Sequence, residues 1–192
     1  MKAYFLDTNA YAILLEKQEA LYHRLWNEIS KDGILSFFIS EITSMEIHSV
    51  IGKKTRAQIN KVDCKRNVTT QEGVNIYCNN YWFTNPKILK KREVNSIRKY
   101  LQAIESKQGT VQATIKSINN NCIAEGRNLL QMYSGRYSLR SLDSLIAGTA
   151  LHYQKSEGLN FTIVTSDKAL KNVLKMEGIP FFDPKDQGSV IV

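Results

Sequence analysis

Three short apolar runs, each passing at once into a helix-like stretch, set the frame for this chain. The first is KAYFLD at residues 2–7, the second ILSFFI at 34–39 and the third NFTIVT at 160–165. Each is rich in aromatic and β-branched side chains and bounded by turn-forming or polar residues, which reads as a strand. TNAYAILLEKQ follows the first run with helical character. Ser40 stands as the N-cap of EITSMEIHSVIGKK (41–54) behind the second. SDKALKNVLKMEG (166–178) follows the third, with Gly178 at its end and Pro180 just beyond. Strands that alternate with helices predict an α/β fold in layers, with a mainly parallel central sheet flanked by helices.

The remaining segments fill in around that frame. Residues 18–33 read as a helix, with Leu21, Leu25 and Ile29 recurring every fourth position and Gly33 placed as a C′ glycine. Ser141 is expected to cap a helix over 142–158, whose apolar stripe is Leu142, Leu145, Ile146, Thr149 and Ala150. Residues 88–106 predict a strongly basic helix, residues 110–133 another helix, and 179–182 a last short strand. Residues 61–86 show no clean period and are rich in Asn and Thr, so irregular structure or short strands are expected there, punctuated by Pro86. A length of 192 residues fits one domain carrying a basic insertion or extension within about 53–140.

The net charge of +8 is unevenly spread. Residues 1–52 hold 4 Lys/Arg against 7 Asp/Glu, residues 53–140 hold 17 against 5, and residues 141–192 hold 5 against 6. The whole basic excess therefore lies in the middle, where it would attract a polyanion such as nucleic acid. Lys87, Lys90, Lys91, Arg92, Arg98 and Lys99 are candidates for a phosphate track. Tyr77, Tyr81, Trp82 and Phe83 are candidates either for stacking on unpaired bases or for filling the core of the insertion. Cys64, Cys78 and Cys122 stand far apart with no Cys-x-x-Cys pair, which fits reduced thiols. No apolar stretch has the length of a membrane span or a secretory leader, so the expected compartment is the cytoplasm.

The chemistry-bearing residues are acids. In open parallel sheets ligands bind beyond the carboxyl ends of the strands. Asp7 closes the first strand and Asp167 lies two residues past the third. Asp143 sits near the start of its helix, and Glu46 lies within the helix after the second strand. Each alone has an ordinary reading as a turn residue, a helix N-terminal acid or a solvated helix residue. Together they form a set whose mutual repulsion a divalent cation would relieve, and all-oxygen ligands suit Mg²⁺ or Mn²⁺. Such an ion can activate water and stabilise the leaving oxygen of a phosphodiester. Glu41, five residues before Glu46, is an alternative to it. His23, His48 and His152 form no metal or triad pattern.

FLDTN, the acid in SEITSMEIHSV, LDSLIAGTAL and IVTSDKAL, in that order and those settings, resemble the PIN-domain ribonuclease family. The resemblance covers roughly the first and last 50 residues. It implies a three-layer PIN-like fold, here with an enlarged basic helical middle segment, and Mg²⁺- or Mn²⁺-dependent cleavage of RNA. Asp7, Glu46, Asp143 and Asp167 would be the metal-binding acids, with Asn9, Thr165 and Ser166 as the polar groups that orient them. Compact members are often VapC-type toxins that pair with a small antitoxin protein and form homodimers. In this chain 97 residues separate Glu46 from Asp143, a longer middle than those toxins carry. Two other readings compete. A haloacid-dehalogenase-like phosphatase also places an Asp after its first strand but needs an acid two residues on, where this chain has Asn9. A non-catalytic RNA-binding module on a nuclease fold would use only the basic middle.

Overall fold

The computed structural model describes residues 3–17, 19–55, 60–69, 75–84 and 88–186, the stretches 60–69 and 75–84 by their backbone. The chain divides into two compact units, one of Met1–His48 with Ile97–Val192, the other of Ser49–Ser96.

The larger unit is built on one sheet. Its strands are β1 (Ala3–Leu6), β2 (Ser30–Lys31), β3 (Ile34–Ser40), β6 (Val111–Lys116), β7 (Phe161–Val164) and β8 (Phe181–Phe182). β3, β1, β7 and β8 lie side by side in that order, all parallel, and β6 pairs in parallel along the other edge of β3. β2 alone runs antiparallel to its neighbour β3. Helices α1 (Thr8–Ile13), α2 (Ala20–Ile29), α5 (Asn120–Tyr133), α6 (Ser141–Glu157) and α7 (Lys168–Met176) connect and cover these strands. The expected α/β fold with a mainly parallel sheet is therefore observed. Among the described residues no helix is long and apolar enough to cross a membrane.

β1, β7 and β8 are almost wholly buried, as their uninterrupted apolar runs require. Phe161 packs edge-on against Phe5 and Phe38, with ring centroids 5.4 and 5.1 Å apart. Ile146, Ala147 and Ala150 of α6 and Leu170, Val173 and Leu174 of α7 close over this cluster. The stripe expected on α6 is shifted. Leu142 is exposed, whereas Ala147 and Gly148 are buried, because α5 packs on a second side of the helix. A Cβ on Gly148 would stand 2.4 Å from the backbone N of Gly126 and 2.7 Å from the carbonyl O of Cys122. The absence of a side chain at both glycines lets the two backbones meet.

Several local expectations are corrected. Residues 111–116, expected to be helical, form β6: Val111 and Ala113 alternate with half-exposed Gln112 and Thr114, and the strand finds a full-length partner in β3. Asn119 then caps α5 by accepting from the N–H groups of Asn121 and Cys122, both at 3.0 Å. The helix from residue 18 ends at Ile29. Gly33 (φ 75°) follows Asp32 (φ 53°) in the two-residue turn between β2 and β3, the Asp-Gly pair that a tight hairpin favours. Ser141 is the first residue of α6 rather than its cap; Arg140 takes the cap position.

In the smaller unit, β4 (Asn60–Thr69) and β5 (Asn75–Thr84) form a regular antiparallel hairpin, with Asn60 opposite Thr84 and Thr69 opposite Asn75. The middle of the chain is thus not simply helical. It holds this hairpin and β6 besides α4 (Lys91–Glu105) and α5, because two ten-residue stretches satisfy each other's backbone groups over their whole length. α3 (Glu41–Lys54) and α4 run through the points at which the two units divide. Pro86 and Lys87 lie outside the described residues.

The α5–α6 approach leaves no room for a methyl group. Gly148→Ala is expected to lower the unfolding free energy by about 1–3 kcal/mol, measured by urea denaturation. Gly135→Ala, in open space, should leave it unchanged. Equal stability of Gly148→Ala and the parent would contradict this packing.

Candidate acid site at the carboxyl ends of the strands

The parallel strands deliver their carboxyl ends to one edge of the sheet, and the acids follow from there. Leu6 is paired with Val164, so Asp7 and Thr165 emerge next to each other. Asp7 N–H donates to the Val164 carbonyl at 3.1 Å, and Thr165 N–H to the Phe182 carbonyl at 3.0 Å. Asp7 is 2 % exposed.

Asp7 and Asp167 are both N-caps. Ala10 N–H donates to Asp7 Oδ1 at 2.6 Å, at the start of α1. Leu170 N–H donates to Asp167 Oδ1 at 2.8 Å, at the start of α7. The ordinary reading of Asp167 as a helix-start acid therefore agrees with the structure, and Asp7, whose ordinary reading is a turn residue, is a helix cap as well. Capping uses Oδ1 and fixes the carboxylate in place. Thr165 couples the two: its hydroxyl accepts from Asp167 N–H at 3.0 Å and hydrogen-bonds the Asp7 carboxylate.

Burial pushes the Asp7 carboxyl up to about 7; the charges of Asp143 and Asp167 push the same way, against the bonds from Ala10 N–H and Thr165. Burial likewise raises Asp143, to about 6, with Asp167 and Glu46 adding to the rise and Arg140 opposing it. Asp7, Asp143 and Asp167 are thus within electrostatic reach of one another, and Glu46 is within reach of Asp143. Thr8 donates to Glu46 Oε2 at 2.5 Å and ties α3 to the start of α1. Glu41 is engaged elsewhere, accepting from Ile118 N–H at 2.8 Å.

The other expected residues are placed differently. Asn9 is exposed, while its buried neighbour Thr8 makes the bond to the acid. Ser166 donates to Asp183 Oδ1 at 2.6 Å rather than to any of the four acids. Asp183, just past β8, also pairs with Lys171 and accepts from Lys185 N–H at 2.8 Å. Burial alone would raise its carboxyl, but these bonds and the Lys171 charge hold it below the usual range. Lys90, Lys91, Arg92, Arg98 and Lys99 are all exposed on or beside α4. Tyr77, Tyr81, Trp82 and Phe83 lie on β5, described by its backbone alone. His152 Nε2 lies 3.1 Å from Asn119 Nδ2, a structural role.

Thr8 and Arg140 were missed in the sequence. Thr8 was legible only as the residue after Asp7, because its partner lies 38 residues on. Arg140 precedes LDSL without any helical signal of its own.

Among the described residues, no group of three or more His, Cys, Asp or Glu side chains is arranged to hold a metal ion. The donor set nonetheless suits a hard cation. It is all carboxylate, it is partly desolvated, and Mg²⁺ characteristically takes one or two protein carboxylates and completes its shell with water and substrate phosphate.

No family model matches the sequence. No curated protein matches it in sequence either. Among solved structures, the chain is similar to one in the crystal structure of VapBC2 from Rickettsia felis bound to a DNA fragment from their promoter. The identity is 18 % and the TM-score 0.50, over 95 % of this chain and 98 % of that one. This is a likeness of fold, and it agrees with an α/β architecture around a mostly parallel sheet.

Asp7 binds its proton more tightly folded than unfolded. Its favourable contribution is therefore complete below the ordinary carboxylate range and is lost as pH rises through about 7. Asp7→Asn keeps a capping side chain and removes the buried charge. In EDTA at pH 8 the variant should be more stable than the parent by about 2–4 kcal/mol, and the difference should fade as pH drops and vanish below the ordinary carboxylate range. A parent that is the more stable at pH 8 by urea denaturation would contradict the buried, repelled carboxylate.

Proposed function

We propose that this chain is a divalent-metal-dependent endoribonuclease of the PIN type. The observation that carries this reading is a group of acids, Asp7, Asp143 and Asp167 with Glu46 near Asp143, in which burial first and the neighbouring carboxylates second make Asp7 and Asp143 hold their protons abnormally tightly. Structural roles account for the capping oxygens of Asp7 and Asp167. They do not account for four acids that repel one another.

In this reading the four carboxylates hold Mg²⁺ or Mn²⁺, which supplies water activation and charge stabilisation at a phosphodiester. The chain's own residues set the geometry. The N–H groups of Ala10 and Leu170 fix one oxygen of each capping aspartate. Thr165 holds Asp7 and Asp167 in register, and Thr8 aims the Glu46 carboxylate. Arg140 offsets the charge gathered around Asp143. Water is kept from Asp7 by its burial beneath the start of α1.

The fold neighbour bears the name of a two-component complex bound to promoter DNA. That supports a narrower proposal: this chain is the toxin of a toxin–antitoxin pair, with a small antitoxin protein as partner, able to form homodimers and acting on RNA in the cytoplasm. A phosphatase of the haloacid-dehalogenase kind finds no support, since Asn9 is both exposed and unable to serve as the acid.

Purified protein should cut a mixed RNA pool with Mn²⁺ or Mg²⁺ and stop in EDTA. Asp7→Asn and Asp143→Asn should each lose on the order of a hundredfold or more. Thr8→Val removes only the group that aims Glu46 and should cost about tenfold. Cutting that survives in both aspartate variants, or in EDTA, would sink the reading.

A further inference from the structure

We propose that the groove between the segment 136–140 and the start of α7 is a nucleotide subsite, taking a base and a phosphate of single-stranded RNA beside the acid cluster. The substrate class rests on the nuclease reading. The residues are separate from those that carry it, except at the shared boundary.

The groove has a volume of about 400 Å³ and is lined by Arg136, Tyr137, Arg140, Lys168 and Asn172, among others, with Asp167 in its wall. Asp167 is also one of the four acids, so the groove opens onto the site. Arg136, Arg140 and Lys168 are exposed, and none of them makes an ion pair among the described residues. Arg136 and Lys168, which have no ion-pair partner among the described residues, and Arg140, whose charge also bears on Asp143, give the cavity a positive lining next to a cluster of negative sign. A phosphate chain that approaches the acids needs such a neighbour, because the acids themselves repel it.

The aromatic wall is fixed before any ligand arrives. Tyr137 N–H donates to the Tyr133 carbonyl at 2.8 Å, and Leu139 N–H to the Tyr137 carbonyl at 2.7 Å. Leu139 is buried and pins the segment. The Tyr137 ring lies 6.2 Å from that of Tyr133, whose hydroxyl donates to Glu177 Oε1 at 2.5 Å. Tyr137 is half-buried, with the Arg136 guanidinium 5.6 Å from its ring centroid. An aromatic ring on a pinned backbone and a planar guanidinium are the two surfaces on which unpaired bases stack, and they sit among cations suited to phosphate. An acidic peptide would use the cations but gain nothing from the ring.

The test is binding of a fluorescein-labelled hexauridylate in EDTA, so that no cutting is involved, followed by anisotropy over a range of salt. The parent should bind, with affinity falling as salt rises. Arg136→Ala/Lys168→Ala should reduce the slope of log affinity against log salt by about 1.4, as expected for two lost contacts to a single strand. Tyr137→Leu should bind about five- to tenfold more weakly at fixed salt, and Tyr137→Phe should bind like the parent. No binding by the parent, or an unchanged slope in the double variant, overturns the subsite. So does polyglutamate competing more strongly than unlabelled RNA. Because both charged positions are exposed, the double variant should fold even if Tyr137→Leu does not. If binding depends on these residues but no metal supports cutting, the nuclease reading fails and the subsite stands. If RNA is cut and every groove variant binds and cuts like the parent, the subsite fails and the nuclease reading stands.

Discussion

The Asp7 carboxylate is where the demands on this structure meet. It ends the central strand, it caps the first helix, and it is all but closed to water. Burying a carboxylate costs several kcal/mol unless its charge is balanced. Here one oxygen is satisfied by the Ala10 N–H and the carboxylate also takes a bond from Thr165, yet Asp143 and Asp167 are near enough to repel it. The chain keeps a charge where a neutral Asn would cap α1 about as well. A stabilising role alone does not explain that choice; the proposed role toward a cation would.

The other elements serve to hold that point. β1 pairs with β3 on one side and with β7 on the other, so the helices that follow all three strands start from the same edge of the sheet. Ser40 accepts from Thr43 N–H at 3.0 Å at the head of α3, Asp7 caps α1 and Asp167 caps α7. α6 brings Asp143 to the same edge although no strand leads directly into it. Its placement depends on α5, where Gly126 and Gly148 let the two helices approach backbone to backbone. The precision of the acid site therefore rests partly on a glycine contact remote from it.

What was legible in the sequence was whatever local pattern decides. Continuous apolar runs followed by capping residues located β1, β3 and β7 and the helices behind them, since burial on both faces and cap chemistry are short-range signals. Residues 111–116 depart from the expected helix because a six-residue alternation in front of a helix looks like part of that helix until the partner strand is known. Gly33 satisfies a helix end and a hairpin equally well by composition, and the pairing of β2 with β3 decided for the hairpin. The choice of Thr8 over Asn9 as the group beside Glu46 depends on which side of α1 faces α3, a matter of tertiary packing. Asp183 directly follows the short strand expected at 179–182, and its engagement by Ser166, Lys171 and Lys185 N–H is a matter of tertiary packing that no local pattern shows.

Among the described residues no three acids are arranged to hold a metal ion, and in the proposed reading the substrate's own oxygens would complete the shell. A structural cation site gains by supplying every ligand, because binding is all that it does. A site that must act on a phosphodiester gains by leaving part of the shell open, so that the substrate's own oxygens complete it and binding energy appears when the reacting group arrives. Raised carboxyl affinities for protons are the counterpart of that openness: without a cation the charges are balanced only by protons, and Asp7 and Asp143 take them up near neutral pH. The proton and the cation then compete for the same oxygens. The tension that makes Asp7 a poor structural residue is what would make its carboxylate a ready ligand once a metal displaces the proton.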